Sequence, residues 1–171
     1  AFKNCTNLAG AKLPSTLTKL GESAFYGCTK LTDIVIPDGV ANIGSYSFKA
    51  CTGLSSVTLP ANLKRIDESA FYGCTALRNI EIPEGTTDID SYVFKNCTAL
   101  TNVKLPQSLV QIGESAFYAS KLNEVTIPDS VTTIGSYAFK NCASLAEVTL
   151  PANLSKIQES AFYGCEKLTT L

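Results

Sequence analysis

Leu31-Thr32-Asp33-Ile34-Val35-Ile36-Pro37-Asp38-Gly39-Val40-Ala41-Asn42-Ile43-Gly44-Ser45-Tyr46-Ser47-Phe48-Lys49-Ala50-Cys51-Thr52-Gly53 is one unit of 23 residues, and Leu54 opens the next. Thr32 to Ile36 is β-branched and alternating, with Ile34 and Ile36 pointing one way, so it reads as a short strand. Pro37 ends it, because proline has no N–H to give to a ladder. Asp38-Gly39 is turn chemistry. Val40 and Ile43 are apolar three residues apart and Gly44 follows, which predicts a second, shorter extended segment near Ile43 on the opposite side of a coil. Ser45 to Ala50 reads as a helical turn with serine as its cap. The expected inward set is Leu31, Ile34, Ile36, Val40, Ile43, Phe48, Cys51 and Leu54.

The unit recurs from end to end. Every proline (14, 37, 60, 83, 106, 128 and 151) and every phenylalanine (2, 25, 48, 71, 94, 117, 139 and 162) falls in register with it. So does every cysteine (5, 28, 51, 74, 97, 142 and 165). A fixed period of this size means a solenoid of stacked units. Ordering one unit costs about as much backbone entropy as its few inward side chains return, so no unit folds alone and stacking stabilises the array. Like strands are expected to pair in parallel. One copy is irregular: Tyr118-Ala119-Ser120-Lys121-Leu122 lacks a residue and its cysteine, which reads as a tolerated loop deletion. The chain is expected to be a single array, residues 1–171, of about seven repeats. It starts and stops in mid-repeat, as a piece of a longer protein would.

A second period lies on top of the first. Glu-Ser-Ala-Phe-Tyr (22–26, 68–72, 114–118, 159–163) alternates with Ser-Tyr-x-Phe-Lys (45–49, 91–95, 136–140). Tyr26, Tyr72, Tyr118 and Tyr163 therefore alternate with Lys49, Lys95 and Lys140 along one row. The steric reading is that identical rings would crowd at this spacing, with lysine adding cation–π contact. The functional reading is an aromatic binding strip.

The consensus Leu-x-x-Val/Ile-x-Leu/Ile-Pro-x-x-Val/Leu-x-x-Ile-Gly-x-x-Ala-Phe-x-x-Cys, carried by seven consecutive copies over the whole chain, resembles the BspA-like, or Treponema pallidum-type, leucine-rich repeat. The resemblance implies a right-handed leucine-rich-repeat solenoid, mostly β, with a parallel sheet on one face and short 3-10 or helical turns. It also implies a secreted or cell-surface protein, of bacteria or some parasitic protists. Several proteins of that family are implicated in adhesion to host matrix proteins or to other cells, so the resemblance implies an adhesive binding module. It supplies no catalytic residue and no fixed ligand motif.

Other function classes find little support. Histidine is absent, and with it the usual neutral-pH base and the commonest zinc ligand. Net charge is −1 with lysine and arginine scattered, so no nucleic-acid footprint is expected. No apolar run is long enough to span a bilayer. The glutamate row 22, 68, 114 and 159 offers carboxylates without a cleft, so no enzyme, cofactor or metal site is expected. The cysteines share one inward slot on successive coils and are expected to be reduced and buried. Asn4-Cys5-Thr6, Asn96-Cys97-Thr98 and Asn153-Leu154-Ser155 fit the glycosylation pattern, which matters only in a eukaryotic host.

What remains is the outward face of the strands. One row is Lys12, Val35, Thr58, Glu81, Lys104, Thr126 and Thr149; its neighbour is Asp33, Ser56, Asn79, Asn102, Glu124 and Glu147. This mixed polar surface either binds a protein or glycan ligand through many weak contacts or is simply a solvated face. The alternative function is a passive spacer presenting another module. Open core edges at Phe2 and at Leu168/Leu171 point to end-to-end self-association or to flanking repeats.

Overall fold

Twelve short strands alternate between two faces of a coiled chain, described for residues 1–171 in a computed structural model. One face carries three-residue strands that end just before the Ile/Leu-Pro pair: β1 (Asp33–Val35), β3 (Ser56–Thr58), β5 (Asn79–Glu81), β7 (Asn102–Lys104), β9 (Glu124–Thr126) and β11 (Glu147–Thr149). The opposite face carries two-residue strands: β2 (Asn42–Ile43), β4 (Arg65–Ile66), β6 (Asp88–Ile89), β8 (Gln111–Ile112), β10 (Thr133–Ile134) and β12 (Lys156–Ile157). Every pairing is parallel. The two-residue strands form one continuous sheet, β2 to β12, and a bridge from Leu20 to Ile43 extends it into the first coil.

The side chains between the faces form one apolar cluster of 42 buried residues, and all eight inward residues of the quoted unit belong to it. Phenylalanine is its spine. The eight rings stack with centroids 5.1–5.5 Å apart. Such pairs add about 0.5–1.5 kcal/mol each beyond the area they bury.

The third side of each coil is not the helical turn expected for Ser45–Ala50. It is a run of turns without helix. Its N–H groups alternate between the neighbouring coil and the chain itself: those of Tyr46, Phe48 and Ala50 donate to the carbonyls of Glu68, Ala70 and Tyr72, and those of Ser47, Lys49 and Cys51 to the carbonyls three residues back. Two residues per coil adopt left-handed conformations to make this possible. Tyr46 (φ 58°) and Ala50 (φ 60°) do so in the quoted unit, and Gly27, Gly73 and Gly164 (φ 70–76°) take the Ala50 slot in other coils. A helix cannot contain such residues, so the serine cap was a misleading local signal.

In the irregular coil, Ser120 fills the cysteine slot. Its N–H bonds the Phe117 carbonyl as each cysteine N–H bonds its own Phe, and its hydroxyl lies 3.1 Å from Cys142 Sγ. The missing residue falls between Ser120 and Leu122, in the turn that precedes the strand.

Candidate functional site

The strand face presents its two rows as the alternation requires. Lys12, Asp33, Val35, Ser56, Thr58, Asn79, Glu81, Asn102, Lys104, Glu124, Thr126, Glu147 and Thr149 are all exposed. Strand register sets Asp33 beside Ser56, Asn79 beside Asn102 and Glu124 beside Glu147. Glu81 and Lys104 form the one ion pair within these rows, and Glu81 raises the lysine's pKa. An exposed pair of this kind contributes little to stability. The remaining polar groups of the rows are largely free to meet a ligand.

The tyrosine rows are different. Lys49 lies over both Tyr46 (5.2 Å) and Tyr72 (4.6 Å). Lys95 joins Tyr92 to Tyr118, and Lys140 joins Tyr137 to Tyr163, in the same way. The Tyr46 hydroxyl donates to Glu68, Tyr92 to Glu114 and Tyr137 to Glu159. Each of these carboxylates raises the pKa of its tyrosine, by accepting from the neutral phenol and repelling the phenolate. Tyr26, Tyr72 and Tyr118 are half-buried and only Tyr163 stands clear, at 65% exposure. Ring faces engaged by the protein's own lysines are poor platforms for a sugar. Glu68, Glu114 and Glu159 of the glutamate row, read from sequence as carboxylates without a cleft, are the acceptors for Tyr46, Tyr92 and Tyr137; the matching alternation of Glu and Tyr was the available signal.

These contacts group the coils in twos. The coil carrying Asp38, Tyr46 and Lys49 grips the next one through three links: Asp38 Oδ1 accepts the Ala61 N–H (2.8 Å), Tyr46 meets Glu68, and Lys49 meets Tyr72. Glu84 with Gln107 and Asp129 with Ala152 repeat the first link two and four coils on. The strand face follows the same grouping. Its sheets are β1–β3, β5–β7 and β9–β11, with a seam between one pair and the next. Ile36, Ile82 and Ile127 donate across the pairs to Thr58, Lys104 and Thr149, whereas the equivalent N–H groups of Leu13, Leu59 and Leu105 make no backbone bond across the seams.

The thiols form a line down the core. Each cysteine from Cys28 onward donates Sγ–H to the Phe carbonyl of the preceding coil, at 3.0–3.2 Å. That carbonyl also accepts the cysteine N–H of its own coil, or the Ser120 N–H in the case of Phe117, so both its lone pairs are used. All seven cysteines are free. Burial pushes the thiols of Cys51, Cys97 and Cys142 up to about 12. No group of three or more His, Cys, Asp or Glu side chains is placed to hold a metal ion, and no helix is long and apolar enough to cross a membrane.

Parallel strands stacked at one residue period, with asparagine-, cysteine- and phenylalanine-lined turns between them, define a leucine-rich-repeat solenoid. The chain matches the BspA type leucine rich repeat region over residues 1–100 and 64–171, in six copies, and belongs to that family. No curated protein sequence matches it. Among solved structures it is similar to a T. pallidum leucine-rich-repeat protein, with 32% identity and a TM-score of 0.90 over 94% of this chain and 78% of that one. It is also similar to a leucine-rich-repeat protein from Bacteroides ovatus, with 25% identity and a TM-score of 0.70 over the whole of this chain. It spans 62% of the length of that second protein. A third, from Bacteroides capillosus, is 34% identical with a TM-score of 0.52 over 56% of this chain and 75% of that one. The family is one of interaction and structural repeat modules.

Proposed function

We propose that this array is a non-catalytic binding module of a secreted or cell-surface protein, and that it engages protein or glycan ligands of a host or neighbouring cell through its strand face. The observation that carries this reading is the contrast between two surfaces. The strand-face rows expose polar side chains with few internal partners, while the tyrosine rows spend their rings, hydroxyls and lysines on one another. A secreted or surface location is what membership of this repeat family leads us to expect.

A passive spacer is the second reading. The continuous β2–β12 sheet and the near-identity of the coils favour it, since a specific site usually breaks repeat symmetry. Binding of the array to a panel of host matrix proteins and glycans separates the two. Saturable binding lost when Glu81, Lys104, Thr126 and Thr149 are changed to alanine supports the strand face. Binding retained in that variant moves the site elsewhere, and no binding to any member of the panel supports the spacer.

A further inference from the structure

The strand face breaks its own symmetry at one place. In the outward row every coil presents Lys, Thr or Glu except the second, which presents Val35, 62% exposed. Val35 lies at the first seam, where the first coil makes only a single bridge, Gly10 to Asp33, instead of a strand. A cleft of about 810 Å³ opens between residues 11–15 and 33–39. That is within the usual range for ligand sites. Val35, Leu13, Pro14 and Pro37 give it apolar walls. The Leu13 N–H makes no backbone bond, so a donor is left at the seam. The second coil contributes Asp33 and Asp38, and the first contributes Lys12, so the charged lining is net negative and its acids are all on one side. Asp38 is held in place by the Ala61 N–H. The other two internal seams lack this combination, because Thr58, Glu81, Lys104 and Thr126 flank them.

We propose that this cleft receives an extended peptide segment of a partner protein that carries adjacent aliphatic and basic side chains. The aliphatic residues cover Val35 and the prolines, the basic ones face Asp33 and Asp38, and the peptide backbone meets the Leu13 N–H. This rests on the strand-face reading and gives it a location and a ligand class.

The probe is a fluorescein-labelled Gly-Leu-Val-Lys-Arg-Gly peptide, followed by anisotropy on the full chain. Two comparison peptides replace Lys-Arg by Glu-Glu or Leu-Val by Ser-Thr. The expected result is saturable binding of the first peptide, weakened about tenfold or more in either comparison peptide and in Val35→Lys. Thr98→Lys, which adds the same charge at an exposed position outside the two strand-face rows, should bind as the unmodified protein does. Val35→Lys alters an exposed side chain and should melt as the unmodified protein does, which a thermal scan verifies. Absence of saturation, equal binding of all three peptides, or an equal loss in Thr98→Lys overturns the proposal. So does a labelled maltoheptaose that binds and is displaced by Val35→Lys. If Val35→Lys leaves the matrix-protein binding of the array intact while the four-alanine variant abolishes it, the strand-face reading stands and this cleft is dismissed.

Discussion

Ala50 and Ala119 occupy a backbone slot that other coils fill with glycine or asparagine, the residues that tolerate left-handed φ. Ala50→Gly should therefore stabilise the array by about 1 kcal/mol, read as a rise in the urea midpoint. Phe94→Ala removes a ring from the middle of the stack and should cost about 3–5 kcal/mol. The cysteines make a sharper set of expectations. Cys5 is exposed, Cys165 is half-buried, and Cys28, Cys51, Cys74, Cys97 and Cys142 are buried. A thiol reagent should modify Cys5 at once, Cys165 more slowly and the other five only on unfolding. Their titration also sets an alkaline limit. Each buried thiol is raised on folding from an ordinary value of 9.0, to about 12 for Cys51, Cys97 and Cys142. The folded state thus holds protons that the unfolded state releases. This stabilisation is complete below pH 9 and is lost as pH rises from 9 through about 12. Urea midpoints measured from pH 7 to 11 should be level at first and then fall, and the fall should shrink when Cys51, Cys97 and Cys142 are replaced by alanine.

At the scale of the element, the strands, their proline stops and the inward set were legible because alternation and β-branching act within five residues. Thr32–Ile36 frames the observed β1, and Ile43 the observed β2. The turn face was not legible from one coil, because alternate backbone groups there are satisfied by the coils above and below. The glycines at 27, 73 and 164 marked the left-handed slot, but only alignment of all coils brings them together with Asn4, Asn96 and Asn141. The outward rows were legible from strand alternation alone. The engagement of Tyr46 by Glu68 was not, since it lies 22 residues away in sequence. The double-coil grouping leads to a test by deletion. Removing residues 77–99 takes out one coil and sets Glu68 beside Glu114 and Tyr72 beside Tyr118, with no lysine between the rings. Removing residues 54–99 takes out two coils and restores Tyr46 to a glutamate and Lys49 to a tyrosine. The shorter protein should unfold in urea with the higher stability per coil, and the single-coil deletion should show the lower midpoint despite its greater length.

Across the whole molecule, the sheet of two-residue strands runs unbroken while the strand face is divided at seams. Hydrogen exchange should reflect this. Amides that bond within a pair of coils, such as Ile36, Ile82 and Ile127, should exchange more slowly than Leu59 and Leu105 at the seams, because the latter make no backbone bond. Equal protection at both sets would argue against the grouping. The grouping has a further consequence for the gene. Tandem copies this similar misalign at recombination and so gain or lose units. An exchange displaced by one unit yields a protein with mismatched rows, whereas a displacement of two keeps each tyrosine of the rows beside its glutamate and lysine. Selection for stability alone then favours arrays that lengthen and shorten by even numbers, and related chains should preserve the parity of their units more faithfully than their count.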